Sequence, residues 1–112
     1  MIPDPSPPFD FDMSGLLKER LARMLARAAQ LGIGLQIALE LRAIVDAVTN
    51  RPRAWGDPVR HFAHAQQTYY HGHHANFLGV YSVHDRVPMA FLIDVVPLEG
   101  NPLHGGNYDA DA

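Results

Sequence analysis

Cysteine is absent from the 112 residues, which excludes a disulfide framework, a thiolate nucleophile and a cysteine-based zinc or iron–sulfur site. No apolar run approaches the ~20 residues that a bilayer span requires, and no basic start precedes a signal-like apolar stretch. We therefore expect a cytoplasmic protein without a membrane partner. The sequence also lacks a Gly-rich phosphate loop and a Ser/His/Asp arrangement, and it indicates no cofactor.

A dense basic patch is also missing. The formal net charge is −3, yet between Met13 and Leu103 nine Lys or Arg stand against seven Asp or Glu, a balance of +2. Nucleic-acid binding domains usually carry denser positive charge, because each neutralised phosphate releases counterions and adds affinity. The charge therefore argues mildly against a nucleic-acid role.

The two ends of the chain differ in composition from the middle. Residues 1–12 are rich in proline and aspartate and predict a flexible tail, although the alternation from Phe9 to Asp12 is also compatible with a short edge strand. Residues 104–112 are glycine-rich and acidic and predict a second flexible tail. Residues 13–103 remain as a single domain.

Two amphipathic helices are predicted in the first half of that domain. Ser14 is a suitable N-cap for a helix that runs to about Gln30, and a glycine at Gly32 is the expected left-handed terminator. A second helix is predicted from about Leu35 to Thr49, ending before Pro52. The short connection makes the two helices an antiparallel hairpin.

The second half is rich in β-branched and aromatic residues and predicts strands. We place them at Thr68–His74, Phe77–His84 and Val87–Val96, with a two-residue turn at Asp85 and Arg86. The last strand is apolar on both faces, with a shared face made of Val87, Met89, Phe91, Ile93 and Val95. Such a strand is either central in its sheet or covered on its second face by a partner chain.

This order of elements resembles the RelE/ParE toxin superfamily. The similarity covers residues 14–98: a helical hairpin, a loop that ends in Gly56-Asp57-Pro58, a middle strand over residues 78–83 and a final strand over residues 87–96. It implies an α+β fold in which the N-terminal hairpin packs on a three- or four-stranded antiparallel sheet. Members usually begin with a full strand before the first helix, where this chain offers only Phe9 to Asp12.

The resemblance also implies what the protein does. Such toxins either cleave mRNA on the ribosome or poison DNA gyrase, and each is bound by a small antitoxin protein. The cleaving members use cationic side chains, but this sequence has none between Arg60 and Arg86 apart from potential imidazolium. We therefore expect a toxin-family protein that acts by macromolecular binding in a toxin–antitoxin-like system. A non-catalytic homodimer that buries the last strand is a further hypothesis.

Seven histidines form the strongest local anomaly, and five of them lie within fourteen residues. One hypothesis is a Zn²⁺ or Ni²⁺ site made of His61, His64, His71 and His73. Another is a ribosome-dependent or free endoribonuclease, whose candidate catalytic residues are His73, His74, Tyr81 and Arg86. The plain alternative is that the histidines are surface polar residues of an edge strand.

Overall fold

The computed structural model describes residues 8–109. Residues 1–7 and 110–112, which belong to the two predicted tails, lie outside the described residues. The elements follow in the order β1 (Asp10–Met13), α1 (Gly15–Gln30), α2 (Gly34–Asn50), α3 (Pro52–Trp55), β2 (Asp57–Phe62), β3 (Gln67–His74), β4 (Phe77–His84) and β5 (Met89–Pro97). Within the described part of the chain, no helix has both the length and the apolar character needed to cross a membrane.

The α+β class is confirmed, but the expected three- or four-stranded antiparallel sheet is wrong in strand number and in strand direction. The sheet has five strands in the order β1-β5-β4-β3-β2. Strands β2 to β5 form an antiparallel meander, whereas β1 pairs in parallel with β5, so the sheet is mixed. The parallel pair arises because the chain crosses the sheet through the helical hairpin before it reaches β2.

Strand β1 begins inside the segment predicted as a tail, in the place where a short edge strand is the alternative prediction. The Asp10 N–H donates to the Pro88 carbonyl over 2.7 Å, and Phe11 pairs with Ala90. Because side chains alternate along a strand, Phe11 and Met13 face the helices while Asp10 and Asp12 face away.

The helical hairpin forms as predicted. The Ser14 hydroxyl accepts a 3.1 Å hydrogen bond from the Leu17 N–H and begins α1, and Gly32 follows its end with a φ of +77°. Both helices bury one apolar stripe against the sheet, because their apolar residues recur every three or four positions. The buried residues are Leu17, Met24 and Ala28 of α1 and Ile37, Leu41, Ile44, Ala47 and Val48 of α2.

Strand β5 contains a bulge that corrects its predicted shared face. Tyr81 pairs with Leu92 but Val80 pairs with Asp94, so Ile93 is the extra residue. A bulge reverses the alternation of side chains beyond it. Met89 and Phe91 therefore lie on the side away from the helices, whereas Val95 is buried on the helix side, opposite Gly79. The strand also begins at Met89, two residues later than predicted.

Helix α3 and strand β2 are not predicted by the sequence. Strand β2 is an edge strand whose residues are almost all exposed, so it lacks the apolar alternation that marks a half-buried strand. It contains Pro58 and an irregularity between Pro58 and Arg60, both common at sheet edges. Its pairing partner β3 matches the prediction to within one residue.

Trp55, at the end of α3, packs where the chain turns from the helices into the sheet, as its neighbours Gly56 and Pro58 predict. Its ring lies over the cross-strand pair Gly72 and Gly79 and stacks on Tyr81 at a centroid distance of 5.6 Å. A Cβ added at Gly72 would stand 2.4 Å from the indole, so only glycine leaves room for the ring.

We predict that Gly72→Ala lowers the free energy of unfolding by about 1–3 kcal/mol, because the added methyl group displaces a packed ring. Urea denaturation followed by tryptophan fluorescence measures the change. Gly15→Ala is the matched control, since a Cβ there meets nothing within 4 Å. Equal midpoints for the two variants would contradict the packing of Trp55 on Gly72.

Candidate functional site

The side of the sheet that faces away from the helices carries a groove, called here the outer-face groove. It has a volume of about 530 Å³ and runs across β1, β5, β4 and β3. The residues that line it are Asp10, Phe11, Asp12, Gln67, Tyr69, Ser82, His84, Met89, Ala90, Phe91 and Ile93. Pockets that bind ligands are typically apolar with a few polar groups, and this groove has that character.

Strand register places four of the lining side chains in one row on the outer face. Asp12 pairs with Phe91, Phe91 with Ser82, and Ser82 with Tyr69, so one row of side chains crosses four strands. Phe91 and Tyr69 are two strands apart, about 10 Å at ~4.8 Å per strand. Ser82 stands between them, and its small side chain leaves the space between the two rings open. The row therefore forms the floor of the groove.

Large apolar side chains remain open to solvent in the groove. Met89 is 53% exposed and Phe91 is 39% exposed, although both stand in a strand flanked by paired neighbours. The helices supply no cover here because both pack on the opposite face, where the buried core lies. An exposed apolar patch with a polar rim is typical of an interaction surface.

His84 supplies a fixed polar group at the rim of the groove. Its Nδ1 atom accepts hydrogen bonds from the N–H groups of Arg86 at 3.1 Å and Val87 at 3.2 Å. These bonds assign the neutral ring a hydrogen on Nε2, which makes Nε2 a donor. The same bonds shape the connection from β4 to β5, which is longer than the predicted two-residue turn.

The four histidines of the metal hypothesis are divided among different places. His71 and His73 stand at odd positions of β3, so they lie on the face opposite to Thr68. His61 pairs with Thr68 and therefore shares the face of Thr68. His64 belongs to the turn between β2 and β3. Within residues 8–109, no three His, Asp or Glu residues are arranged to hold a metal ion.

The four candidate catalytic residues do not converge either. His73 and His74 end β3, while Arg86 lies beyond the opposite end of that strand, where Gln67 pairs with His84. Six residues of strand separate the two ends, about 20 Å at 3.3 Å per residue. Tyr81 lies on the helix side of the sheet, fully buried in the core.

The hydroxyl of Tyr81 is fully engaged in hydrogen bonds to the backbone. The hydroxyl donates to the Pro52 carbonyl over 2.5 Å and accepts from the Gly56 N–H over 2.9 Å. Its ring stacks on Tyr70 at 5.2 Å as well as on Trp55. Burial raises the pKa of Tyr81 to about 12, so the phenol stays protonated at neutral pH.

A small polar cluster that sequence reasoning missed joins the turns at one end of the sheet. His61 Nε2 lies 2.8 Å from Asp85 Oδ2, and the Thr68 hydroxyl donates to Asp85 Oδ1 over 3.0 Å. The hydrogen bond from His61, and then that from Thr68, lowers the pKa of Asp85. Only the tertiary fold reveals this group, because 24 residues separate His61 from Asp85.

Two of the three arginines of α1 contact the C-terminal part of the described chain. Arg20 pairs with Asp94 and lies 3.2 Å from Asp109, and Arg23 donates to the Tyr108 carbonyl over 3.2 Å. Tyr108 is itself buried, although it belongs to the predicted second tail. These contacts reduce the positive charge that the first helix presents to a partner.

Comparison with protein-family models and with curated protein sequences finds no match to this chain.

We predict that Tyr81→Phe lowers the free energy of unfolding by about 1–3 kcal/mol at pH 7, since it leaves the Gly56 N–H and the Pro52 carbonyl without their partner. The wild-type advantage should persist below pH 10 and decline as pH rises toward 12. A group whose pKa rises from 10.0 to about 12 on folding stabilises the fold only while it is protonated. Denaturation at several pH values measures both effects.

Tyr69→Phe is the control for that substitution, because Tyr69 lies on the other face of the sheet. A loss of stability as large in Tyr69→Phe as in Tyr81→Phe would contradict the role of the Tyr81 hydroxyl.

We predict that His61→Ala raises the pKa of Asp85 toward its ordinary value, because the largest cause of the depression is removed. The carboxyl ¹³C shift of Asp85, followed by NMR through an acid titration, measures it. Any stability that the pair contributes is present above the ordinary Asp pKa and is lost as pH falls through the depressed value. His64→Ala, in the adjoining turn, should leave the Asp85 titration unchanged.

Proposed function

We propose that this protein acts by binding a macromolecular partner in the outer-face groove, as a RelE/ParE-like toxin-type protein. The observation that carries the proposal is the exposure of Met89 and Phe91 in a groove that the helical layer leaves open. The order of elements supports the toxin-type interpretation, because a helical hairpin precedes an antiparallel meander over β2 to β5.

Binding fits the geometry better than catalysis of RNA cleavage does. General acid–base chemistry needs its groups within hydrogen-bond reach of one substrate. His73 and Arg86 stand near opposite ends of β3, and the Tyr81 hydroxyl is held by the Pro52 and Gly56 backbone. The endoribonuclease hypothesis would need these groups to converge, which the described fold does not bring about.

The charges of the groove favour a protein partner over a nucleic acid. Asp10 and Asp12 line one side, and none of the described lining residues is Lys or Arg. Within the described lining of the groove, a phosphate backbone would meet two carboxylates and no cation. A protein segment with apolar side chains would instead cover Met89 and Phe91, and it could satisfy the rim groups through hydrogen bonds.

We predict that induced expression of the wild-type chain arrests bacterial growth and that Phe91→Thr relieves the arrest. Threonine keeps the strand propensity of the position while it removes the exposed ring. Growth curves and colony counts after induction measure the effect, with the amount of soluble protein verified for each variant.

Leu39→Gln is the matched control. Leu39 is also an exposed apolar residue, 60% exposed, but it lies on α2 outside the groove. We expect this variant to arrest growth as the wild type does. Normal growth with soluble wild-type protein would overturn the toxin proposal, and arrest by Phe91→Thr as strong as by wild type would overturn the role of the groove.

A further inference from the structure

Opposite charges stand at the two ends of a longer row, which continues the floor of the groove onto β2. Asp12 on β1 begins the row, and Phe91, Ser82 and Tyr69 follow it on successive strands. Tyr69 pairs in turn with Arg60 on β2. The row therefore runs from an exposed carboxylate at one edge of the sheet to an exposed guanidinium at the other, about 19 Å away at ~4.8 Å per strand.

Side-chain contacts place Arg60 on the same face as the groove. Its guanidinium carbon lies 4.9 Å from the centroid of the Phe62 ring. The Phe62 ring is in turn tilted against Tyr69 at 4.7 Å, and Tyr69 lines the groove. Along this row the outer face thus has a carboxylate at one edge, an aromatic and apolar middle, and a guanidinium at the other edge.

We infer that, in the free protein, a second copy of this chain covers the outer face, with the twofold axis parallel to the strands. A twofold interface presents the same surface from both sides, so it must be complementary to itself. Rotation about an axis along the strands places the acidic end of the row in one copy against the basic end of the row in the other. Asp12 then faces the partner's Arg60, and Arg60 faces the partner's Asp12.

The other in-plane axis gives the opposite result. A twofold axis that is perpendicular to the strands and runs along the row places Asp12 against the partner's Asp12 and Arg60 against the partner's Arg60, so that like charges meet at both ends of the row. Repulsion between like charges disfavours that arrangement. Packing along the strands also agrees with the aligned geometry that two sheets adopt face to face, ~10 Å apart.

Apolar burial supplies the attraction in this dimer, and the charges select its orientation. Met89 and Phe91 would lose their exposure to water, at about 25 cal/mol for each Å² of apolar surface covered. Exposed ion pairs add little affinity by themselves, but they discriminate between orientations. The five strands, of four to nine residues each, give a footprint of roughly 550 Å², below the ~800 Å² per partner of a standard interface, so the dimer should be weak.

The dimer uses the same surface as the proposed partner, but dimerisation does not depend on toxin activity. A macromolecular partner that binds the groove would have to displace the second copy. The dimer is tested with the purified chain alone, whereas the toxin proposal is tested by the effect on growth, so each can be overturned without the other.

Sedimentation equilibrium of the full chain, from about 5 to about 500 μM, tests the inference. We expect a monomer–dimer equilibrium that Phe91→Thr shifts toward the monomer. Arg60→Asp and Asp12→Arg should each raise the dimer dissociation constant by at least about 10-fold, because each places like charges at both ends of the row. The chain that carries both substitutions should return to within about 3-fold of wild type, because it exchanges the two edges.

Arg42→Asp is the matched control, since Arg42 is an exposed arginine on α2, outside the groove. It should leave the equilibrium unchanged. Circular dichroism verifies that every variant is folded, and a restored dimer in the double variant excludes simple misfolding of its parents.

A wild-type chain that stays monomeric over the whole range would overturn the inference, as would a dimer that neither Phe91→Thr nor the charge substitutions affect. Additive weakening in the double variant, without restoration, would overturn the orientation. A monomer that still arrests growth through Phe91 would overturn the dimer alone. A dimer without effect on growth would overturn the toxin proposal alone.

Discussion

A single layer of helices lies on one face of the sheet, and the character of the other face follows from this constraint. Both faces of β5 are apolar, yet α1 and α2 can cover only one. The remaining side chains, with Met89 and Phe91 at their centre, form a groove instead of a second core. The surface proposed for binding is therefore what remains of a two-faced sheet when the chain supplies helices for one face.

The covered face is fixed by contacts that leave little freedom to the residues involved. The Tyr81 hydroxyl joins the backbone of Pro52 and Gly56, and the Trp55 ring requires glycine at Gly72 beneath it. These contacts hold the short helix α3 against the middle of the sheet. They also explain why Tyr81, which sequence reasoning proposed as catalytic, has its hydroxyl engaged in the core.

The elements that the sequence predicts correctly are those that local chemistry decides. Ser14 and Gly32 bound the first helix because capping and left-handed backbone depend on single residues. Strand β4 has its predicted ends because turn residues follow it at Asp85 and precede it at Asn76, where φ is +61°. The prediction failed at β2, whose exposed side chains show no period, and at Val95, whose face depends on a bulge in the pairing with β4. His61 and His71 lie on opposite faces of the sheet, because closeness along the chain does not decide which face a strand residue occupies.

The sequence by itself determined the α+β class, the helical hairpin and a last strand that is apolar on both faces, because periodicity and turn chemistry are local properties. Only the tertiary structure decided the parallel pairing of β1, the partners of Tyr81 and the alignment of Asp12, Phe91, Tyr69 and Arg60 in one row. Those features depend on strand order and register, which bring together residues far apart in the chain and leave no trace in any single segment.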